Sequence, residues 1–132
     1  LDCVLLHSDG DDAALLEDDG ALGALEALKR SGEILHVGIS TKTVAGGRAA
    51  LDRVDVLMLT LDPDDPVERE LARAAAAEGC GVLIKKALDS GHAQDPARAL
   101  RRVAACAGVA SIVVGTIDPA HLAANAAALT GS

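Results

Sequence analysis

The stretch Leu25-Glu26-Ala27-Leu28-Lys29-Arg30-Ser31-Gly32-Glu33-Ile34-Leu35-His36-Val37-Gly38-Ile39 contains a complete helix-to-strand junction. Its first half extends a helical pattern over Ala21 to Arg30, with Leu22, Leu25 and Leu28 at three-residue spacing and Gly32 as a C-terminal stop. Its second half, Ile34 to Ile39, is almost continuously apolar and shows little alternation. A strand of that kind is covered on both faces, as in a parallel sheet flanked by helices.

The same unit recurs outward from this junction. Strand-like runs occupy Cys3 to His7, Val54 to Leu59, Val82 to Ile84 with Lys85 following, and Ser111 to Val114. A helix over Val44 to Leu51 is weakened by Gly46 and Gly47. Three later helices open on Asp65-Pro66, Asp95-Pro96 and Asp118-Pro119, where Asp caps and Pro takes the first helical position. Glu68 stands three residues after Asp65 and completes a capping-box pattern, and Leu71 begins the core-facing spacing. The order is βα repeated five times, with right-handed crossovers expected. It suits part of a (β/α)8 barrel or an open doubly wound sheet, and periodicity alone does not separate the two.

Composition narrows the chemistry. The 132 residues suit one domain over residues 1–132, and half of them are apolar while Phe, Tyr and Trp are absent. The core must therefore be filled by Leu, Val, Ile and Ala, and tyrosine chemistry and aromatic stacking are excluded. A formal charge of -8, without a basic run, argues against nucleic acid. Cys3, Cys80 and Cys106 are scattered and odd in number, which argues against a disulfide framework or a zinc site and fits a reducing cytoplasm. No run has the length and apolarity of a membrane span. Leu1 opens directly into an apolar run, so a truncated start is expected. The acidic residues Asp9, Asp11, Asp12, Glu17, Asp18 and Asp19 lack EF-hand spacing, so they read as solvated loops and no metal is expected. Gly46 and Gly47 lack the setting of a Rossmann fingerprint.

The run Leu5-Leu6-His7-Ser8 places a histidine at a strand's C-terminal end, where barrel enzymes assemble their sites. There His7 can orient a carbonyl or donate a proton, although a solvated loop histidine is the plainer alternative. With Leu25 to Glu33, Val37-Gly38-Ile39-Ser40 and Ile112-Val113-Val114-Gly115-Thr116 before Asn125, it forms an ordered set. The set resembles the aldo-keto reductases, with Glu33 departing from that family's usual Lys. The resemblance spans essentially the whole chain and implies a partial (β/α)8 barrel of about five βα units, corresponding to the fourth through eighth.

It further implies carbonyl reduction by NADPH, with NADH as an alternative, of a small aldehyde or ketone. Of the family's Asp, Tyr, Lys and His, only His7 has a matching position. Ser40 matches a carboxamide-contacting serine, Thr41 stands where relatives have Asn, and Met58 replaces a Gln. Lys85-Lys86-Ala87-Leu88-Asp89-Ser90-Gly91 resembles the stretch that wraps the pyrophosphate, with Lys85 in place of a ring that stacks on nicotinamide. Lys85, Lys86, Leu88, Ser90 and Gly91 are thus candidate contacts, with surface solvation of the lysines as the alternative. Gly115 and Thr116 precede a helix that offers a hydroxyl and amides to a phosphate. His121 falls where an Arg meets the 2′-phosphate, and Asn125 falls on the adenine-contacting Asn, one turn further along the same face. Two other readings stay open: a half-barrel that binds a nucleotide or phosphate and self-associates through exposed strand edges, and an open flavodoxin-like sandwich.

Overall fold

The computed structural model describes residues 1–17 and 19–130. In chain order its elements are β1 Cys3–His7, α1 Asp12–Glu17, α2 Asp19–Arg30, β2 His36–Ser40, α3 Val44–Ala49, β3 Val56–Leu59 and α4 Pro66–Ala77. They continue with β4 Gly81–Lys85, a 3-10 turn Asp89–Gly91, α5 Pro96–Ala104, β5 Ser111–Val113 and α6 Pro119–Thr130. All strand pairs are parallel and run in the order β1-β2-β3-β4-β5. A doubly wound sheet reverses its order at a switch point, so the flavodoxin-like alternative fails.

Register divides the strands into two faces. Ile39 aligns with Leu57, Leu57 with Val82 and Leu59 with Ile84. This face is buried in one core cluster with Leu71, Ala72 and Ala75 of α4 and Val103 of α5. Each such aliphatic side chain contributes roughly 1.5–3 kcal/mol of burial free energy. On the other face Leu5, Gly38 and Val56 align, and His7, Ser40 and Met58 lie beyond them. Leu5, Met58 and Leu83 are only half-buried there, because none of the helices among the described residues covers that side.

The Asp-Pro starts behave as their chemistry requires. Asp65 accepts from Val67 N at 2.7 Å, Asp95 from Arg98 N at 2.9 Å and Asp118 from Ala120 N at 2.8 Å. The reciprocal half of the capping box does not form. Asp65 N donates to Asp62 O, and the Glu68 carboxylate accepts instead from Asp62 N at 2.6 Å, tightening the turn that enters α4.

Asp12 corrects the reading of the acidic residues as solvated loops. Asp18 and the side chains of Glu17 and Asp19 lie outside the described residues, but Asp12 is 97% buried, its exposure being 3%. Its carboxylate accepts from Lys42 N at 3.0 Å, Thr43 N at 2.8 Å and Thr43 Oγ1 at 2.6 Å, joining the loop after β1 to the start of α3. Burial pushes its carboxyl pKa up, yet hydrogen bonds from Ser8, Thr43 and the Lys42 amide outweigh this and hold it below the usual value. The two glycines that weaken α3 in sequence are what this packing needs. A Cβ on Gly46 would lie 2.3 Å from Asp12 Cβ, and one on Gly47 would lie 2.6 Å from Leu71 Cδ2.

Asp12→Asn is expected to lower the unfolding free energy by roughly 2–3 kcal/mol at neutral pH, because charge-assisted hydrogen bonds are lost around a buried group. Since the folded pKa is depressed, that difference is full above about pH 4 and vanishes as pH falls through the lower folded value. Urea denaturation of both proteins across pH measures it, and a difference independent of pH would contradict the assignment.

Candidate active site

Parallel pairing in sequence order brings every strand's C-terminal end to one edge of the sheet. His7 ends β1 beside Ser40, which ends β2, and Ser40 is in register with Met58. His7 is exposed, Met58 half-buried, and Ser40 and Thr41 are buried. Lys85 ends β4 and reaches across β3, donating to Ser40 Oγ at 2.8 Å and to Thr41 O at 2.7 Å. Among the described residues it forms no ion pair with a carboxylate. Burial lowers its pKa, and the charges of Lys86 and Lys42 lower it further, with Asp12 opposing.

The loop after β4 is conformationally unusual. Lys86, Asp89 and Ser90 have φ of 58°, 48° and 54°, the left-handed region that costs non-glycine residues about 1 kcal/mol or more each. Gly91, at φ 96°, follows. The turn is closed from within, since Asp89 N donates to Lys86 O at 2.9 Å and Gly91 N to Leu88 O at 2.8 Å. A cavity of about 310 Å³ lies between Lys86, Leu88, Ser90 and Gly91 on one side and Val113 and Gly115 on the other. A second, of about 620 Å³, continues from Leu88, Gly91 and Gly115 past Thr116 to His121 and Asn125. A Cβ on Gly91 or Gly115 would meet nothing within 4 Å, so the floor of this groove is open.

The structure thus joins Ser40, Thr41 and Lys85 by hydrogen bonds. It gathers Lys86, Leu88, Ser90 and Gly91 with Gly115 around one cavity, and Thr116, His121 and Asn125 around the next. His7 and Met58 adjoin the group through strand register. Thr116 departs from the expected hydroxyl offered to a phosphate. Its Oγ1 accepts from Asp118 N at 3.2 Å, while the Asp118 carboxylate takes the Ala120 amide and lies 3.8 Å from His121 Nε2. The start of α6 therefore carries its own anion. Two contributors escaped the sequence: Asp12, which had no motif around it, and Gln94, which lines the larger groove just before the Asp95 cap. Burial raises the pKa of the Cys3 thiol and pushes that of Cys80 up to about 11, so neither of these two is poised as a thiolate.

Known structures share this fold. A Pseudomonas aeruginosa protein provisionally described as an aldo-keto reductase is 42% identical with a TM-score of 0.88, over 99% of this chain and 52% of its own. A second structure so described, from the same organism, is 43% identical with a TM-score of 0.87 over 51% of its length. The chain is related to the aldo-keto reductases. It spans about half the length of these relatives. An aldo-keto reductase from Bacillus halodurans, solved in a holo form, shares the fold at 18% identity with a TM-score of 0.75. No family model and no curated protein matches the chain.

Measured against a dinucleotide such as aldo-keto reductases use, the two ends of this half-barrel differ in fit. The groove from Gly91 to Asn125 has room and polar groups for an adenosine end. At the other end, the Ser40 hydroxyl and Thr41 carbonyl already hold the Lys85 ammonium, and Met58 offers no polar anchor.

The Lys85 pKa direction has a thermodynamic consequence. A lysine whose folded pKa is depressed binds fewer protons folded than unfolded, so its contribution to stability rises as pH climbs through the folded value toward 10.5. Lys85→Met is expected to flatten that rise relative to the parent chain in urea denaturation between neutral pH and pH ~10. Parallel pH profiles for the two proteins would count against a half-buried ammonium held only by uncharged acceptors.

Proposed function

We propose that residues 1–132 form a single domain, the C-terminal half of an NAD(P)H-dependent oxidoreductase that reduces small aldehydes or ketones in the cytoplasm. The observation that carries this reading is the convergence of His7, Ser40, the Lys85 to Gly91 loop and α6 on one rim, with a groove leading on to Asn125. Ser40, Thr41 and Met58 would face the nicotinamide, Lys86, Leu88, Ser90, Gly91 and Gly115 the pyrophosphate, and Thr116, His121 and Asn125 the adenosine. When bound, the cofactor supplies hydride to the carbonyl carbon. His7, at the end of β1, orients the carbonyl oxygen through a ring N–H. The tyrosine that protonates that oxygen in the family has no counterpart in this chain, which has no tyrosine.

One observation favours a second reading, a half-barrel that binds a nucleotide without redox chemistry. Lys85 already satisfies the polar atoms of the nicotinamide end, whereas the groove at Asn125 stays open. Self-association through the outer edges of β1 and β5 accompanies either reading, because unpaired parallel edges invite pairing.

Titration of the chain with NADPH and NADH, followed by dihydronicotinamide fluorescence, tests both; the absence of Trp and Tyr keeps protein emission out of the signal. The first reading expects binding of both with little preference, since His121 is a weaker phosphate partner than an arginine. His121→Arg should then tighten NADPH several-fold and leave NADH unchanged. Binding of ADP with equal strength and no gain from the nicotinamide moiety supports the second reading. If none of the three binds, to the chain or to the chain joined to the complementary half of a related barrel, both are wrong.

A further inference from the structure

The hydrogen bonds of Lys85 describe an amine held ready to act as a nucleophile. An ammonium has three N–H donors and a neutral amine has two with one lone pair. Lys85 Nζ has two acceptors, Ser40 Oγ at 2.8 Å and Thr41 O at 2.7 Å, both uncharged. Loss of one proton therefore leaves both bonds intact and frees the lone pair in the remaining direction. A lysine kept for structure is ordinarily held by a carboxylate, which binds the charged form and is weakened when the proton leaves. Lys29 shows that arrangement in the same chain: its Nζ meets both oxygens of Asp55, at 2.7 and 2.6 Å, at the opposite end of the sheet.

The surroundings of Lys85 work in the same direction. It is half-buried at the end of β4, on the face that carries Leu83, Met58 and Ser40 and that the described residues leave uncovered. The charges around it are Lys86 next in sequence, Lys42 after β2 and Asp12 at the start of α1, and burial with the two lysines outweighs Asp12 in favouring the neutral amine.

We propose that Lys85 is an amine nucleophile that condenses with small aldehydes or ketones at the strand-end rim to form an imine. The Nζ lone pair attacks the carbonyl carbon, and the carbonyl π pair moves to oxygen, which takes a proton from the nitrogen. The resulting carbinolamine loses its hydroxyl together with the remaining N–H proton as water, leaving C=N; no electrons are gained or lost. Ser40 is a positioning residue in this step. The inference requires no nicotinamide cofactor, so its test is independent of the titration above.

The chain has only four lysines, Lys29, Lys42, Lys85 and Lys86, which makes the test direct. The purified chain is incubated with acetaldehyde and cyanoborohydride at neutral pH, without nucleotide, and the ethylated lysines are quantified by peptide mass spectrometry. Lys85 is expected to be modified several-fold faster than the exposed Lys86 and Lys42, with its rate rising at lower pH than theirs. Ser40→Ala should slow Lys85 selectively. Modification in order of exposure, with Lys86 and Lys42 ahead of Lys85, overturns the proposal. That comparison is made on the parent chain, so it holds even if a variant folds poorly.

Discussion

The parallel hydrogen-bonded register from β1 through β5 is the constraint on which everything else in this chain rests. Because each strand pairs with its sequence neighbour in the same direction, all five C-terminal ends fall on one edge and every connecting helix falls on one face. Residues more than a hundred positions apart, His7 and Asn125 among them, thereby belong to one rim. The Asp12 carboxylate secures the early part of this edge, tying the turn after β1 to the turn after β2 through the Lys42 and Thr43 amides. Few apolar side chains stabilise these loops, so a buried carboxylate with its donors satisfied takes over the role that packing has elsewhere.

Lys85 sits at the centre of a tension within the rim. In the function proposed above its neighbours Ser40 and Thr41 face the cofactor, yet its ammonium occupies their polar atoms. The adenosine-side groove carries no such conflict, although Asp118 places a carboxylate at the start of α6 beside His121. The two ends of the rim thus differ: one has an open groove, and at the other an ammonium occupies the polar atoms. The uncovered sheet face adds to this, because Leu5, Met58, Leu83 and Lys85 present a mixed apolar and basic surface where a closed barrel would have its interior.

Local rules made the alternation of strands and helices legible, along with the three Asp-Pro helix starts. These features depend on residues within a turn of one another, and the Asp65, Asp95 and Asp118 side chains cap as their positions dictate. Helix α1 and the 3-10 turn at Asp89 were not legible, since six and three residues carry too little periodicity to register. Gly46 and Gly47 were read as weakening α3, when they are the clearance that Asp12 and Leu71 require; the reason lies on other elements and leaves no local mark.

By itself the sequence determined the βα order, the aromatic-free core and the strand-end position of His7, because spacing and strand order are properties of the chain alone. Only the tertiary structure decided between a sequential barrel-type sheet and a doubly wound one, since both obey the same periodicity and differ only in which strands pair. It likewise decided that Glu68 turns to Asp62, that Thr116 turns to Asp118 and that Lys85 closes on Ser40. A polar side chain's partner is set by whichever donor or acceptor folding brings within about 3 Å, and no spacing rule in one dimension contains that distance.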